Sequence, residues 1–160
     1  MTESWSADEK TVMLLAAGRI AQDLCQRGSP GWLRFREMRE QVAFHEAGHA
    51  AVALLLGRRP LAAVVEPRRG LVHFDEQSLL TGFDRPRRSD EEQISEAANS
   101  LAPGAVEELE ARTKLLLEAA WPRVRAIAAA LLDRGVLQGE EIMTLFFGRE
   151  TDAGSISTMA

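Results

Sequence analysis

The sequence predicts a mainly α-helical domain with a small β-hairpin, an α+β arrangement. Several stretches repeat apolar residues every three or four positions, and two of them follow capping-box patterns, which is typical of amphipathic helices. Residues 61–76 change character, because short runs rich in Val and Leu flank an Arg-Arg-Gly turn, which indicates a hairpin. The 160 residues are 46% apolar and 27% charged, which is enough material for one hydrophobic core.

The first predicted element is an amphipathic helix over residues 8–27. Ser6-Ala-Asp-Glu9 is a capping box, and apolar residues then recur at helical spacing as far as Leu24. Ser29-Pro30-Gly31 marks a break. Residues 1–31 are therefore expected to form an N-terminal helix and linker. The pattern leaves open whether this helix packs on the core or on another subunit.

The main domain is predicted to span residues 32–147. Its first element is a long helix from about Trp32 to Leu56, which Gly57 ends. The hairpin follows, and residues 82–88 have the Gly, Pro and charge content of a loop.

The C-terminal half is predicted to be helical. Ser89-Asp-Glu-Glu92 is the second capping box and starts a helix that continues to about Leu101. A long helical stretch over 105–133 contains Trp121-Pro122, where the proline predicts a kink or a junction. A short helix over 138–147 closes the domain, and residues 148–160 are expected to be a flexible tail.

The long predicted helix contains a motif with specific chemistry. Phe44 to Ala50 reads Phe-His-Glu-Ala-Gly-His-Ala, an H-E-x-x-H pattern. His45 and His49 lie one helical turn apart and can offer two imidazole nitrogens to one metal ion. Glu46 can then act as the general base on a zinc-bound water. Gly48 is unfavourable inside a helix, so another element is expected to pack closely there, and the element with a third ligand is one candidate.

The residues themselves leave the third ligand open. The sequence after His49 lacks the metzincin pattern, and Glu66 is poorly placed in a strand-like segment. Asp90 is a candidate, although an acidic residue in the first turn of a helix also stabilises the helix dipole. His73 is the rival ligand, although a single histidine on a strand is more often a packed residue. Glu91, Glu92 and Glu96 are expected to form a solvated face.

Four segments together resemble the FtsH-type zinc peptidase domain, over roughly residues 39–147. The segment around the histidine pair, Val42 to Leu56, is similar to the catalytic helix of that family. Val64 to Gly70 resembles the strand and basic turn that follow it, Ser89 to Ser95 resembles the start of the helix with the third motif, and Leu131 to Ile142 resembles the closing segment. The resemblance implies that Asp90 is the third zinc ligand.

The resemblance also has departures from the family pattern. The stretch between the strands and Asp90 is shorter, and the helix rich in Gly-Gly-Arg-Ala-Ala-Glu is not evident. The chain is expected to be a stand-alone form without the ATPase module or the membrane anchor of that family.

The predicted function is a zinc-dependent, ATP-independent endopeptidase that acts on peptides or unfolded proteins. The alternative is a non-catalytic helical module that zinc stabilises and that serves as an adaptor or binds a partner. A net charge of −5 gives no footprint for nucleic acid, and no segment is apolar enough for a membrane span or a signal peptide. The single Cys25 favours a reducing compartment, so the cytoplasm is the expected location. A homo-oligomer is possible, since monomer, dimer and ring all remain open.

Overall fold

A computed structural model of the chain describes residues 4–27, 38–66, 70–74 and 90–148. Six helices and three strands occur within these ranges: α1 (Ala7–Arg27), α2 (Met38–Leu55), β1 (Pro60–Val65), β2 (Gly70–Phe74), α3 (Asp90–Ala98), α4 (Ala105–Ala119), α5 (Trp121–Arg134), β3 (Val136–Gln138) and α6 (Gly139–Phe147). The predicted fold class, mainly helical with a small β element, is confirmed. The predictions for residues 28–37, 67–69, 75–89 and 149–160 lie outside the described residues.

Helix α1 begins at the predicted capping box and packs on the core. The Ser6 backbone N–H donates to Glu9 Oε1 at 2.7 Å, and the Glu9 N–H donates to Ser6 Oγ at 3.1 Å. Residues 12–18 are all buried, and α1 packs against α2, α3 and α4. Packing on the core is one of the two arrangements that the sequence left open.

Helix α2 lies at the centre of the domain. It ends at Leu55, and Gly57 follows with a positive φ of 84°, as the sequence predicted for this end. A Cβ added at Gly48 would lie 2.5 Å from the Ala17 carbonyl oxygen and 2.6 Å from the Ala21 Cβ. Close packing at Gly48 is therefore confirmed, but the neighbour is α1. Asp90, the ligand candidate that the resemblance implies, lies on α3 and not on this neighbour.

The β element has three strands in the order β2-β1-β3. The predicted hairpin pairs β1 with β2 in antiparallel register, and β3 pairs antiparallel with the other edge of β1. Strand β3 was not predicted, because three residues are too short to show an alternating pattern. Only Leu137 of β3 is buried, opposite Ala63.

The predicted junction at Trp121-Pro122 separates two helices. Helix α4 ends at Ala119 and α5 begins at Trp121, so Pro122 lies in the first turn, where its missing N–H costs little. Helix α5 ends at Gly135, whose positive φ of 82° forms the αL cap. Within the described ranges, no helix combines the length and apolar character that crossing a bilayer requires.

Candidate metal centre

The two motif histidines meet the first residue of α3. Both lie on α2, and their ring centroids are 4.7 Å apart at an interplanar angle of 78°. Nε2 of His45 lies 2.9 Å from Oδ2 of Asp90, and Nε2 of His49 lies 3.1 Å from the same oxygen. The structure thus brings together the three residues that the sequence and the resemblance suggested as ligands.

The opposite nitrogen of each ring contacts α1. Nδ1 of His49 lies 2.8 Å from the backbone carbonyl oxygen of Leu14, and Nδ1 of His45 lies 2.8 Å from Oε1 of Gln22. A carbonyl oxygen only accepts, so both Nδ1 atoms carry a proton and donate it. Gln22 Nε2 donates to Gln41 Oε1 at 3.3 Å, which leaves the carbonyl oxygen of Gln22 directed at His45.

This arrangement places acceptors on both sides of each imidazole. A neutral imidazole has a single N–H, and here that N–H is used at Nδ1. Nε2 would then direct a lone pair at the carboxylate of Asp90, which is repulsive. The space between Nε2 of His45, Nε2 of His49 and Asp90 Oδ2 therefore requires positive charge, either as additional ring protons or as a metal cation.

Protons can supply that charge when no metal ion is bound. Burial by itself lowers the pKa of His49, but the charge and hydrogen bond of Asp90 outweigh burial and raise this pKa to about 9. Burial also disfavours the ionised form of Asp90, yet His49 and His45 hold the pKa of its carboxyl well below the usual range. The carboxylate of Asp90 is thus ready to bind a cation.

The donor atoms fit a zinc ion. His45, His49 and Asp90 offer two imidazole nitrogens and one carboxylate oxygen, which all lie within 4.8 Å of one another. Tetrahedral zinc at about 2.0–2.1 Å from each ligand separates neighbouring ligand atoms by about 3.3 Å. The two separations that involve Asp90 Oδ2, 2.9 Å to His45 Nε2 and 3.1 Å to His49 Nε2, differ from that value by a few tenths of an ångström. Hydrogen bonds from both Nδ1 atoms are also the usual support of zinc-binding histidines.

Glu46 is buried beside this cluster. Glu46 is only 5% exposed. Burial raises the pKa of its carboxyl, and this effect exceeds the lowering by the two histidines. The start of β2 packs against Glu46, since a Cβ added at Gly70 would lie 2.7 Å from its Cγ. A buried carboxyl with a raised pKa is suited to a general base.

Gly18 of α1 borders the cluster where the two Nε2 atoms converge. A Cβ at this position would lie 2.5 Å from Nε2 of His45 and 2.7 Å from Nε2 of His49. A zinc ion would lie about 2 Å from the same two atoms. Only glycine therefore leaves this side of the cluster free.

Arg19 connects α1 to the helix that carries Asp90. Its Nη1 donates to Glu91 Oε2 at 2.7 Å, and its Nη2 donates to Glu110 Oε2 on α4 at 2.8 Å. These groups are partly exposed, so each pair contributes no more than about 1 kcal/mol. The two contacts link the first turn of α3 to α1 and α4.

The glutamates that the sequence raised as further candidates lie outside this cluster. Glu66 is exposed at the end of β1, and Glu91, Glu92 and Glu96 are exposed on α3, as predicted for a solvated face. The backbone of His73 lies in β2 opposite Ala62, and its side chain lies outside the described part of the structure. Among the described residues, His45, His49 and Asp90 are the one group of three or more His, Cys, Asp or Glu side chains placed to hold a metal ion.

The sequence did not predict the contribution of α1 to the site. Leu14, Gly18 and Gln22 are spaced four residues apart, so they share one face of the helix. A glycine and a glutamine on an otherwise apolar face were the available signal.

Comparison with protein-family models, curated proteins and solved structures found no match.

Proposed function

We propose that the protein is a zinc-dependent peptidase in which His45, His49 and Asp90 hold the metal ion. The observation that carries the proposal is the convergence of two Nε2 atoms and one carboxylate oxygen beside the buried Glu46. Three protein ligands leave the fourth position of tetrahedral zinc to water, which is the pattern of catalytic zinc sites. The resemblance to the FtsH-type peptidase domain supports the same assignment.

Zinc, when bound, supplies a water of lowered pKa and polarises the substrate carbonyl. Glu46 takes the proton of that water during attack on the peptide carbonyl and returns it to the departing amine. His45 and His49 bind through Nε2, because Gln22 and Leu14 hold their Nδ1 protons.

Two other functions use part of the same site. A non-catalytic module stabilised by zinc would need a fourth protein ligand and has no use for a buried carboxyl such as Glu46. Two histidines and one carboxylate also bind ferrous iron in some oxygenases. The buried carboxyl next to the ligands favours hydrolysis over both.

The proposed substrate is an extended or unfolded polypeptide. Within the described residues, β2 is an edge strand, and its first residue, Gly70, packs against Glu46. An extended peptide can add to such an edge through backbone hydrogen bonds, which would bring its carbonyl groups towards the base. Cys25 is the single cysteine of the sequence and cannot form a disulfide within the chain, which fits a reducing compartment, so the cytoplasm is the proposed location.

Glu46→Gln tests the proposal. The amide keeps the shape of the side chain but cannot take a proton, so peptide hydrolysis is expected to fall by about 10²–10⁴-fold. The variant should keep one zinc per chain by elemental analysis. Zinc binding with no hydrolysis of flexible peptides by the wild type would instead favour the zinc-stabilised module, and unchanged hydrolysis in Glu46→Gln would exclude the proposed mechanism.

A further inference from the structure

We infer that Gln22 of α1 is a positioning residue that orients His45 for metal binding. The inference rests on the metal site of the proposed function. It adds a specific role for a side chain that is 23 residues from His45 in sequence. It concerns how tightly the site holds its ion.

Three side chains form a chain of hydrogen bonds across the interface between α1 and α2. Gln41 Oε1 accepts from Gln22 Nε2 at 3.3 Å, and Gln22 Oε1 accepts from His45 Nδ1 at 2.8 Å. Gln41 and His45 lie four residues apart on α2 and therefore on one face. Gln22 lies between them from the opposite helix, and all three are partly buried.

This chain of hydrogen bonds fixes the tautomer of His45. With its proton held at Nδ1, His45 keeps the lone pair on Nε2, which lies 2.9 Å from Asp90 Oδ2. In the structure the NH₂ group of Gln22 is directed at Gln41 and its carbonyl oxygen is directed at His45.

The two histidines differ in the source of this support. His49 donates to the backbone carbonyl of Leu14, which no side-chain substitution removes. His45 depends on a side chain, and its own side chain is more exposed, at 25% against 9% for His49. The orientation of His45 is therefore the one that a single substitution can release.

Three variants separate positioning from packing. Gln22→Met keeps the approximate length and volume but removes the acceptor. Gln22→Glu keeps an acceptor directed at Nδ1. Gln41→Met is the matched control, because it removes a partly buried amide from the same interface without touching His45. Zinc affinity is measured by competition with a chelator, and the melting temperature of the metal-free protein is measured alongside.

Gln22→Met is expected to weaken zinc binding by about ten- to a hundredfold, which is the usual effect of losing a hydrogen bond to a metal-binding histidine. Gln22→Glu should keep or increase the affinity, and Gln41→Met should change it by less than about threefold, since its contact with the ring is indirect. The metal-free melting temperatures should not follow this order.

Unchanged affinity in Gln22→Met would overturn the inference, as would equal losses in Gln22→Met and Gln22→Glu. A wild-type protein that binds no zinc would overturn it together with the metal site. Zinc binding that follows the expected order without peptide hydrolysis would reject the peptidase alone and leave the role of Gln22 supported.

Discussion

Substitution of Gly18 by alanine should separate metal binding from folding. The added Cβ would lie 2.5 Å from Nε2 of His45 and 2.7 Å from Nε2 of His49. Normal contact begins near about 3.5 Å, so the overlap is roughly 1 Å. The rings can relieve it by rotating, but rotation moves their nitrogens away from Asp90.

The magnitude follows from two opposing contributions. Alanine in place of glycine inside a helix gains about 1 kcal/mol, and overpacking a tight site costs about 1–3 kcal/mol. The metal-free protein should therefore unfold within about 2 kcal/mol of the wild type. If the histidine rings move away to relieve the overlap, the upper end of the overpacking cost, about 3 kcal/mol, is lost from zinc binding. This free energy corresponds to a zinc affinity lower by about a hundredfold.

Gly48→Ala is the matched control for Gly18→Ala. Its Cβ meets the same helix interface, but the obstacles are the Ala17 carbonyl oxygen and the Ala21 Cβ. Backbone cannot rotate aside, so this variant should lose stability in urea denaturation, while its folded fraction loses less than about tenfold in zinc affinity. The reasoning is refuted if Gly18→Ala binds zinc as tightly as the wild type, or if Gly48→Ala loses more affinity.

Three further predictions concern the proposed ligands. Asp90→Ala should lower zinc occupancy from one per chain towards zero by elemental analysis, while His73→Ala should leave it unchanged; the reverse result would assign the third ligand to His73. Zinc binding should release a proton from His49 below pH about 9, because its pKa is raised to about 9 in the metal-free arrangement and zinc needs the lone pair of Nε2. Calorimetry in buffers of different ionisation enthalpy should find a release of about one proton per zinc ion at pH 7.5. Zinc affinity should also rise with pH up to about 9. A zinc affinity that is independent of pH between about 6.5 and 8.5 would contradict the release of a proton from His49. Because the pKa of His49 is raised on folding, the metal-free protein should also lose stability as the pH rises from about 6.5 to 9.

The sequence predicted the helices and the motif because both are local patterns. A histidine pair at i and i+4 must share a helix face, and a capping box specifies the start of a helix such as α1. The contact between His49 and Leu14 joins residues 35 positions apart, and its acceptor is a backbone carbonyl that every residue type carries. No residue pattern can predict such a contact. The same holds for β3, which exists because Leu137 pairs with β1.

The role of Asp90 could be predicted from the sequence only in part. Its place in the first turn of α3 suited a helix-dipole role equally well, so the residues alone did not distinguish the two. Only the packing of α3 against α1 brings its carboxylate to the two Nε2 atoms, and a sequence does not specify which helices pack together. The resemblance supplied the assignment that periodicity could not.

The arrangement implies that docking of α1 and metal binding are thermodynamically coupled. Both histidines are contacted by one face of α1, which Leu14, Gly18 and Gln22 form. Gly48 of α2 lets the two helices approach closely. Separation of α1 would remove both Nδ1 acceptors at once. A metal ion that requires both histidines in this orientation must therefore bind the docked state more tightly, and by linkage it must stabilise α1 against local opening. Zinc should thus slow hydrogen exchange in α1, a helix that supplies none of the three proposed ligands.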